Sequence, residues 1–377
     1  MIFRGFAPRL RPLGLAAPAI LIIFRILQGL AAGGEYGGAL VYVAEHSSAT
    51  QRAQNTSWIN AMGAIGIILA LLVTLAVRYT IGEIAFMDWG WRLPFLLSIV
   101  LFGISMWIRL TLKESPVFTE MKAKGKLSKS PVRETFGSPR HAKVAICLAL
   151  GGTAALGVMA YTSQFYTQFF LARTLKLDAV TINLIMIAAL LLASPFYLFF
   201  GWLSDRVGRK PVILGGALVA ALVIQPAFHA LTHYGNPKLE NALHANPVKI
   251  VVPEDQCSIQ FNLLSSGDFR TSCDIAQTLL AGQMISYEKV EKAEQAITQV
   301  MIGSDVVDSF NGHALDDDAF KVQQAAFAAT VRSTLDKNGY PTSATENKVN
   351  RPMLMLIVLG LLVLYAAVYA PISHRLT

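Results

Sequence analysis

The sequence predicts an all-α polytopic membrane protein with about seven transmembrane helices, interrupted by one small α+β segment. Three observations predict it. Of 377 residues, 54% are hydrophobic and only 15% are charged, whereas a soluble domain carries roughly 25% charged residues. Apolar runs as long as a hydrocarbon core of about 30 Å requires recur along the chain. One stretch, from about 235 to 350, departs abruptly from that composition and reads as a folded soluble segment.

The runs place spans at residues 15–43, 56–79, 91–112, 143–171, 179–202, 211–233 and 352–373. The basic start MIFRGFAPRLRP passes directly into an apolar run too long for a signal h-region, so no cleavable signal peptide is expected. The net charge of +8 resides in connectors between apolar runs. There it acts as a topology determinant, and no nucleic-acid partner is expected.

Orientation follows from those connectors. The segment from Lys113 to Lys143 carries Lys122, Lys124, Lys126, Lys129, Arg133 and Arg140 with few acids, which marks it as cytoplasmic. Two spans further on, the connector DRVGRK is cytoplasmic by parity and by its own charge. The same count places 235–350 outside the cytoplasm. It also places Arg4, Arg9 and Arg11 outside, against the positive-inside rule, so further helices are expected ahead of this sequence.

Within 235–350, VKIVVPEDQCSIQF alternates like a strand, while CDIAQTLLAGQM and DDDAFKVQQAAFAATVRSTLDK have helical periodicity. Cys257 and Cys273 are disulfide candidates in an oxidising compartment, with two free half-buried thiols as the alternative. Cys147, inside a span, is read as a packing residue. Asp316, Asp317 and Asp318 sit where a helix begins and are read as its acidic first turn rather than a metal site. No catalytic residue and no metal ligand set is assigned, and the chain is not read as an enzyme.

The stretch GWLSDRVGRKPVIL, residues 201–214, resembles the loop signature of the major facilitator superfamily through Gly201, Asp205, Arg206, Gly208, Arg209 and Lys210. Gly201 permits close helix approach and Gly208 a tight turn. Asp205 is expected either to accept from Arg209 or to face a helix amino terminus, near Asn55 and Thr56. The resemblance implies a gating loop that latches one half of a carrier to the other in one conformation.

A second stretch, RILQGLAAGGEYGGALVYVAEHS, residues 25–47, resembles the fourth helix of that superfamily's metabolite:proton symporter branch, the carriers of proline/betaine, 2-oxoglutarate, citrate and shikimate. WGWRLPFLLS at 89–98, LKESPVF at 112–118 and the last span continue the likeness. Gly29, Gly33, Gly34, Gly37 and Gly38 form a small-residue stripe expected to pack a neighbouring helix. Arg25 falls near the midplane, where a guanidinium is costly and marks a pathway or a buried partner. The resemblance assigns Arg25 and Gln28 to the cavity and proton coupling, with Glu35 as partner or gate. Tyr161, Gln164 and Tyr166 are expected either to line that cavity or to sit in the interfacial belt.

These readings imply a partial major facilitator fold matching the fourth to tenth helices, apparently truncated at both ends. They divide the chain into 1–112, the remnant of the amino-terminal half; 113–142, the basic central loop; 143–234, the start of the carboxy-terminal half; 235–350, an extracytoplasmic insertion; and 351–377, the last span. The implied function is proton-coupled symport of a small metabolite, an organic acid or zwitterionic osmolyte, across a bacterial-type inner membrane. It needs no cofactor beyond the proton gradient, and its partners are substrate, protons and lipid. The alternative is a non-transporting membrane anchor displaying 235–350 as a binding or sensor domain.

Overall fold

The structure, a computed structural model, describes residues 16–48, 50–111, 116–125, 130, 136–147, 150–151, 154–253, 257, 269–292, 297–341, 344 and 349–372. Much of the basic central loop therefore lies outside the described residues, as does most of LKESPVF.

The first three long helices are α1 (Ala16–Glu45), α2 (Arg52–Ile81) and α3 (Leu93–Thr111). No residue of α3 is buried by protein, and Phe95, Ile99, Phe102 and Trp107 stand 65–68% exposed along it. A helix apolar all round suits surrounding acyl chains rather than water. Within the predicted span 143–171 the described residues form a short helix, Pro139–Cys147, helical residues 150–151 and a longer helical segment, α4 (residues 154–174), while 148–149 and 152–153 lie outside the described residues. Cys147 is exposed at the end of the short helix, so its expected packing role is corrected.

α4 alternates α-helix with two π-helical stretches, Tyr161–Tyr166 and Phe170–Thr174. It leads into α5 (Ala179–Val207), whose first amide groups are capped by Asp178, with Thr181 N–H donating to its carboxylate at 2.8 Å. α6 (Arg209–Gly235) runs back antiparallel after a turn at Gly208, where φ is 95° and a side chain would be strained. The last helix is α10 (Arg351–Ile372). Among the described residues, five helical runs are long and apolar enough to cross a membrane: Arg52–Ile81, Gly90–Thr111, Ala179–Val207, Arg209–Gly235 and Arg351–Pro371.

α5 forms the centre of the bundle, packed against α2 and α10, and α6 also packs along α10. Ala189, Leu190 and Ala193 of α5 and Leu354, Val358 and Leu362 of α10 are almost wholly buried. Small residues on α5 let those helices come close, and dispersion contacts between them replace the hydrophobic drive that lipid cannot supply.

Between α6 and α10 the chain forms an α+β unit. After α7 (Pro237–Ala245) come β1 (Val248–Val252), α8 (Ser272–Gly282), β2 (Tyr287–Glu291), β3 (Gln299–Ile302), β4 (Asp305–Asp308) and α9 (Asp317–Lys337). The sheet order is β2-β1-β3-β4. β1 pairs parallel with β2 and antiparallel with β3, and β3–β4 is a hairpin turning at Gly303. β1 is buried on both faces, which is why VKIVV reads as an apolar run. β2 (YEKVE) and β4 (DVVD) are edge strands whose charges conceal them from a sequence reading.

α9 falls within the second segment read as helical, and α8 matches the first but starts one residue earlier, at Ser272. Asp316 caps α9 by accepting from Ala319 N–H at 2.7 Å, with Asp317 and Asp318 in the first turn. Among the described residues no group of three His, Cys, Asp or Glu side chains forms a possible metal site. Cys257 and Cys273 are joined as a disulfide, with Cα atoms 5.3 Å apart.

The unit is tied to the helices by Asn236, whose side-chain amide donates to the Leu175 carbonyl at 3.1 Å. Two backbone bonds add to it, Asn350 N–H to Tyr234 O at 2.9 Å and Ala344 N–H to Lys176 O at 3.3 Å.

Candidate functional site

α2 begins without a cap of its own, since Gln51 at its N-cap position makes no side-chain capping bond. The first amides of a helix have no partner within it. Here they are satisfied by a residue from α5: Asp205 Oδ1 accepts from Ala53 N–H at 3.2 Å and Oδ2 from Gln54 N–H at 3.0 Å. A carboxylate at a helix amino terminus gains from the helix dipole as well as from the charge-assisted bonds. Of the two expected roles of Asp205, the structure has the helix terminus and no ion pair to Arg209. The contact falls on Ala53 and Gln54, immediately before the expected Asn55 and Thr56.

One turn earlier, Gly201 brings α5 against α2. A Cβ at Gly201 would lie 2.9 Å from the Ala53 carbonyl oxygen and closer still to the Ser57 hydroxyl. The Ser57 and Ser204 hydroxyls each donate back into their own helix, at 2.6 Å to Ala53 O and 2.8 Å to Gly201 O, so neither is left unsatisfied at the contact. Arg206 turns away, its guanidinium 4.3 Å from the ring centre of Trp202. Arg209 and Lys210 follow the Gly208 turn at the start of α6, with Lys210 exposed.

Further along the same helices is a polar cluster absent from the sequence reading. Tyr36 of α1 donates to Asn60 Oδ1 of α2 at 2.7 Å, and its ring stacks on Tyr369 of α10 at 6.2 Å. Tyr369 stacks on Tyr365 at 5.0 Å, and Tyr365 meets Tyr197 of α5 edge to face at 6.1 Å. Asn60 is buried, and its Nδ2 has no hydrogen-bond partner among the described residues. Tyr365 and Tyr369 are spaced i, i+4, a pattern that puts both on one helix face and could have signalled the cluster.

The remaining predicted residues lie apart. Arg25 is exposed, and its hydrogen bond is to Gln28 Oε1 at 3.1 Å. Glu35 is also exposed and makes no ion pair with Arg25 among the described residues. Tyr161 and Tyr166 are 67% and 54% exposed; Tyr161 touches Phe165, and Tyr166 packs against Phe170 and Phe228. Gln164 is half-buried within the first π-helical stretch. Thus Arg25 and Gln28 are brought together, but no hydrogen bond joins them to Tyr161, Gln164 or Tyr166 among the described residues.

The expected glycine packing seam is likewise corrected. Among the described residues, no heavy atom beyond the chain neighbours and the nearby backbone of α1 itself lies within 4 Å of the Cβ position of Gly29, Gly33, Gly34, Gly37 or Gly38. The reason is that α1 meets the bundle through its last third, where Leu40 and Ala44 are buried, while the stretch carrying Arg25 projects from it.

Long apolar helices arranged around a charged turn, with an inter-helix cap at its base, define a polytopic helical membrane protein. Residues 5–144 match the family described as sugar (and other) transporter. The chain is 30% identical over 230 residues to a putative proline/betaine transporter of Staphylococcus haemolyticus, covering 60% of this chain and 48% of the relative. It is 31% identical to the alpha-ketoglutarate permease of Escherichia coli K12, covering 61% and 52%. To the proline/betaine transporter of that strain it is 29% identical, covering 59% and 46%.

No solved structure matches the chain. The resemblance to the metabolite:proton symporter branch of the major facilitator superfamily therefore holds, and the matched family and relatives are transporters, not enzymes. The chain spans about half the length of the curated relatives it matches.

Proposed function

We propose that this chain serves proton-coupled secondary transport of a small carboxylate-bearing metabolite, an organic acid or zwitterionic osmolyte, across a bacterial inner membrane. The observation that carries the reading is the Asp205 cap on α2. It joins the charged DRVGRK turn to a helix distant in sequence by two hydrogen bonds and a dipole interaction, all of which can be broken and remade as helices rock. Transport by alternating access requires a contact of that kind, strong enough to bias one state and weak enough to release.

The arrangement of α5 and α6 supports the proposed sidedness. The turn at Gly208 lies at one end of this helix pair and the α+β unit at the other. At 1.5 Å per residue, helices of this length separate those ends by about 40 Å, the thickness of a bilayer with its headgroups. With DRVGRK cytoplasmic, the unit at 235–350 is extracytoplasmic. In this reading α1 and α4 are spans alongside the five apolar runs, which gives seven.

Substrate class comes from the relatives, whose names give proline, betaine and alpha-ketoglutarate. All bear a carboxylate, for which the guanidinium of Arg25 is a suitable partner once a ligand and neighbouring helices enclose it. The driving force is the proton gradient, with no other cofactor.

The test is uptake of radiolabelled proline, betaine and alpha-ketoglutarate into liposomes containing the full chain, with and without an inward proton gradient. Gradient-dependent accumulation of at least one, lowered tenfold or more by Arg25→Lys, is the expected result. Absence of accumulation under the gradient rejects the reading. The anchor alternative is not favoured, because the matched relatives are transporters.

A further inference from the structure

Where α4 passes into α5, the helices meet the α+β unit around a cavity of about 330 Å³. Its polar lining comes from three separate elements. Lys176 stands on the α4–α5 connection, Gln283 follows α8, and Arg332 and Asp336 project from α9; Leu239 and Leu243 of α7 supply an apolar wall.

The lining has more positive charge than its single carboxylate offsets. Arg332 and Asp336 are one turn apart on α9 yet form no ion pair, and neither Lys176 nor Arg332 pairs with an acid among the described residues. Burial first, then the guanidinium groups of Arg173 and Arg332, holds the Lys176 ammonium below the ordinary lysine range. Cations so placed are stabilised by an anion between them.

Lys176 and Met284 hold positive φ, 60° and 55°, as the left-handed residues just past the ends of α4 and α8, where Leu177 N–H returns to Leu171 O and Ile285 N–H to Leu280 O, each at 3.1 Å. Both line this cavity.

We propose that this cavity binds an anionic group, a carboxylate or phosphate, on a short apolar body, with Lys176 and Arg332 as its donors and Leu239 and Leu243 against its apolar part. The proposal does not rest on transport. The site lies between the α+β unit and the helices, and an occupant would strengthen that junction.

The experiment uses the full chain in nanodiscs of phosphatidylcholine alone, titrated with sodium benzoate against sodium chloride at equal ionic strength. A parallel preparation contains phosphatidylglycerol in place of benzoate. Binding is read by calorimetry and by the melting temperature. Saturable benzoate binding weakened about tenfold by Arg332→Gln and by Lys176→Gln is the expected result, with Lys249→Gln, a partly exposed lysine of β1 paired with Glu288 outside the cavity, as an unchanged control.

If only phosphatidylglycerol raises the melting temperature, and Arg332→Gln removes that rise, the anion is a lipid headgroup at the same site. Because Arg332 is exposed on α9, its variant retains the fold even if Lys176→Gln does not. The proposal is overturned if neither anion binds, or if Arg332→Gln leaves both effects unchanged.

Discussion

Asp205 and Gln54 are 151 residues apart in sequence, and the carboxylate of the first caps the helix that begins around the second, at 3.0 Å. α2 therefore depends on α5 for an interaction that helices ordinarily obtain from their own N-cap residue. Removing the cap exposes the start of α2, and separating α2 from α5 removes the cap. Helix termination and helix packing are thus coupled at this point.

Replacing Gly201 with alanine tests how closely the two helices must approach. The added Cβ would press on Ala53 O and the Ser57 hydroxyl, and overpacking of this kind costs about 1–3 kcal/mol. A lower melting temperature for Gly201→Ala in detergent is expected. Adding Ser57→Ala should restore only part of the loss, since the backbone oxygen remains. A melting temperature equal to that of the wild type would show that the approach is looser than described.

The disulfide between Cys257 and Cys273 closes a ring spanning 16 residues. In the chain-entropy account such a loop is worth about 3 kcal/mol. Alkylation of the native, unreduced chain should modify Cys147 alone, the exposed free cysteine, and denaturation with reductant should raise the count to three by intact mass. Three modified thiols without reductant would rule out the bridge.

Asp305 gives the α+β unit a defined acid response. Hydrogen bonds from Lys337 Nζ at 3.0 Å and Asn338 Nδ2 at 2.8 Å hold its carboxyl below the usual carboxylate range. A carboxyl with a depressed folded-state pKa stabilises the fold above its unfolded value of about 3.9, and that stabilisation is lost as pH falls through the folded-state value. Melting measured from pH 6 down to pH 2 should therefore fall less steeply at the acid end for Asp305→Asn than for the wild type. Parallel curves would remove Asp305 from the acid transition.

The sequence exposed the helices and the charged turn because both depend on local signals, namely apolar length and the order of residues in GWLSDRVGRK. Asp205 was legible for the same reason, and its partner was misplaced only by a residue or two. Gly29 to Gly38 and Arg25 were harder to read. A small-residue stripe and a mid-helix guanidinium state what a helix can pack against, not which neighbour is present, and here α1 engages the bundle only through its last third. The Tyr36, Asn60, Tyr197, Tyr365 and Tyr369 cluster escaped because it is assembled from four helices, no one of which carries more than two of its members. In the α+β unit, edge strands such as YEKVE have their charges on exposed positions, which removes the apolar alternation that identifies a strand.

The central claim, that Asp205 holds α2 to α5 in one conformation and can release it, is tested most directly by a distance measurement. Spin labels at Gln51→Cys and Val207→Cys, both exposed sites, are introduced in a Cys147→Ser background, and the inter-label distance is measured in liposomes for Asp205 and for Asp205→Asn. Loss of the charge at the helix terminus should weaken the closed state by about 1–2 kcal/mol. The account predicts a single short distance with Asp205 and a second, longer population in the Asn variant. Identical distributions in the two proteins would contradict it.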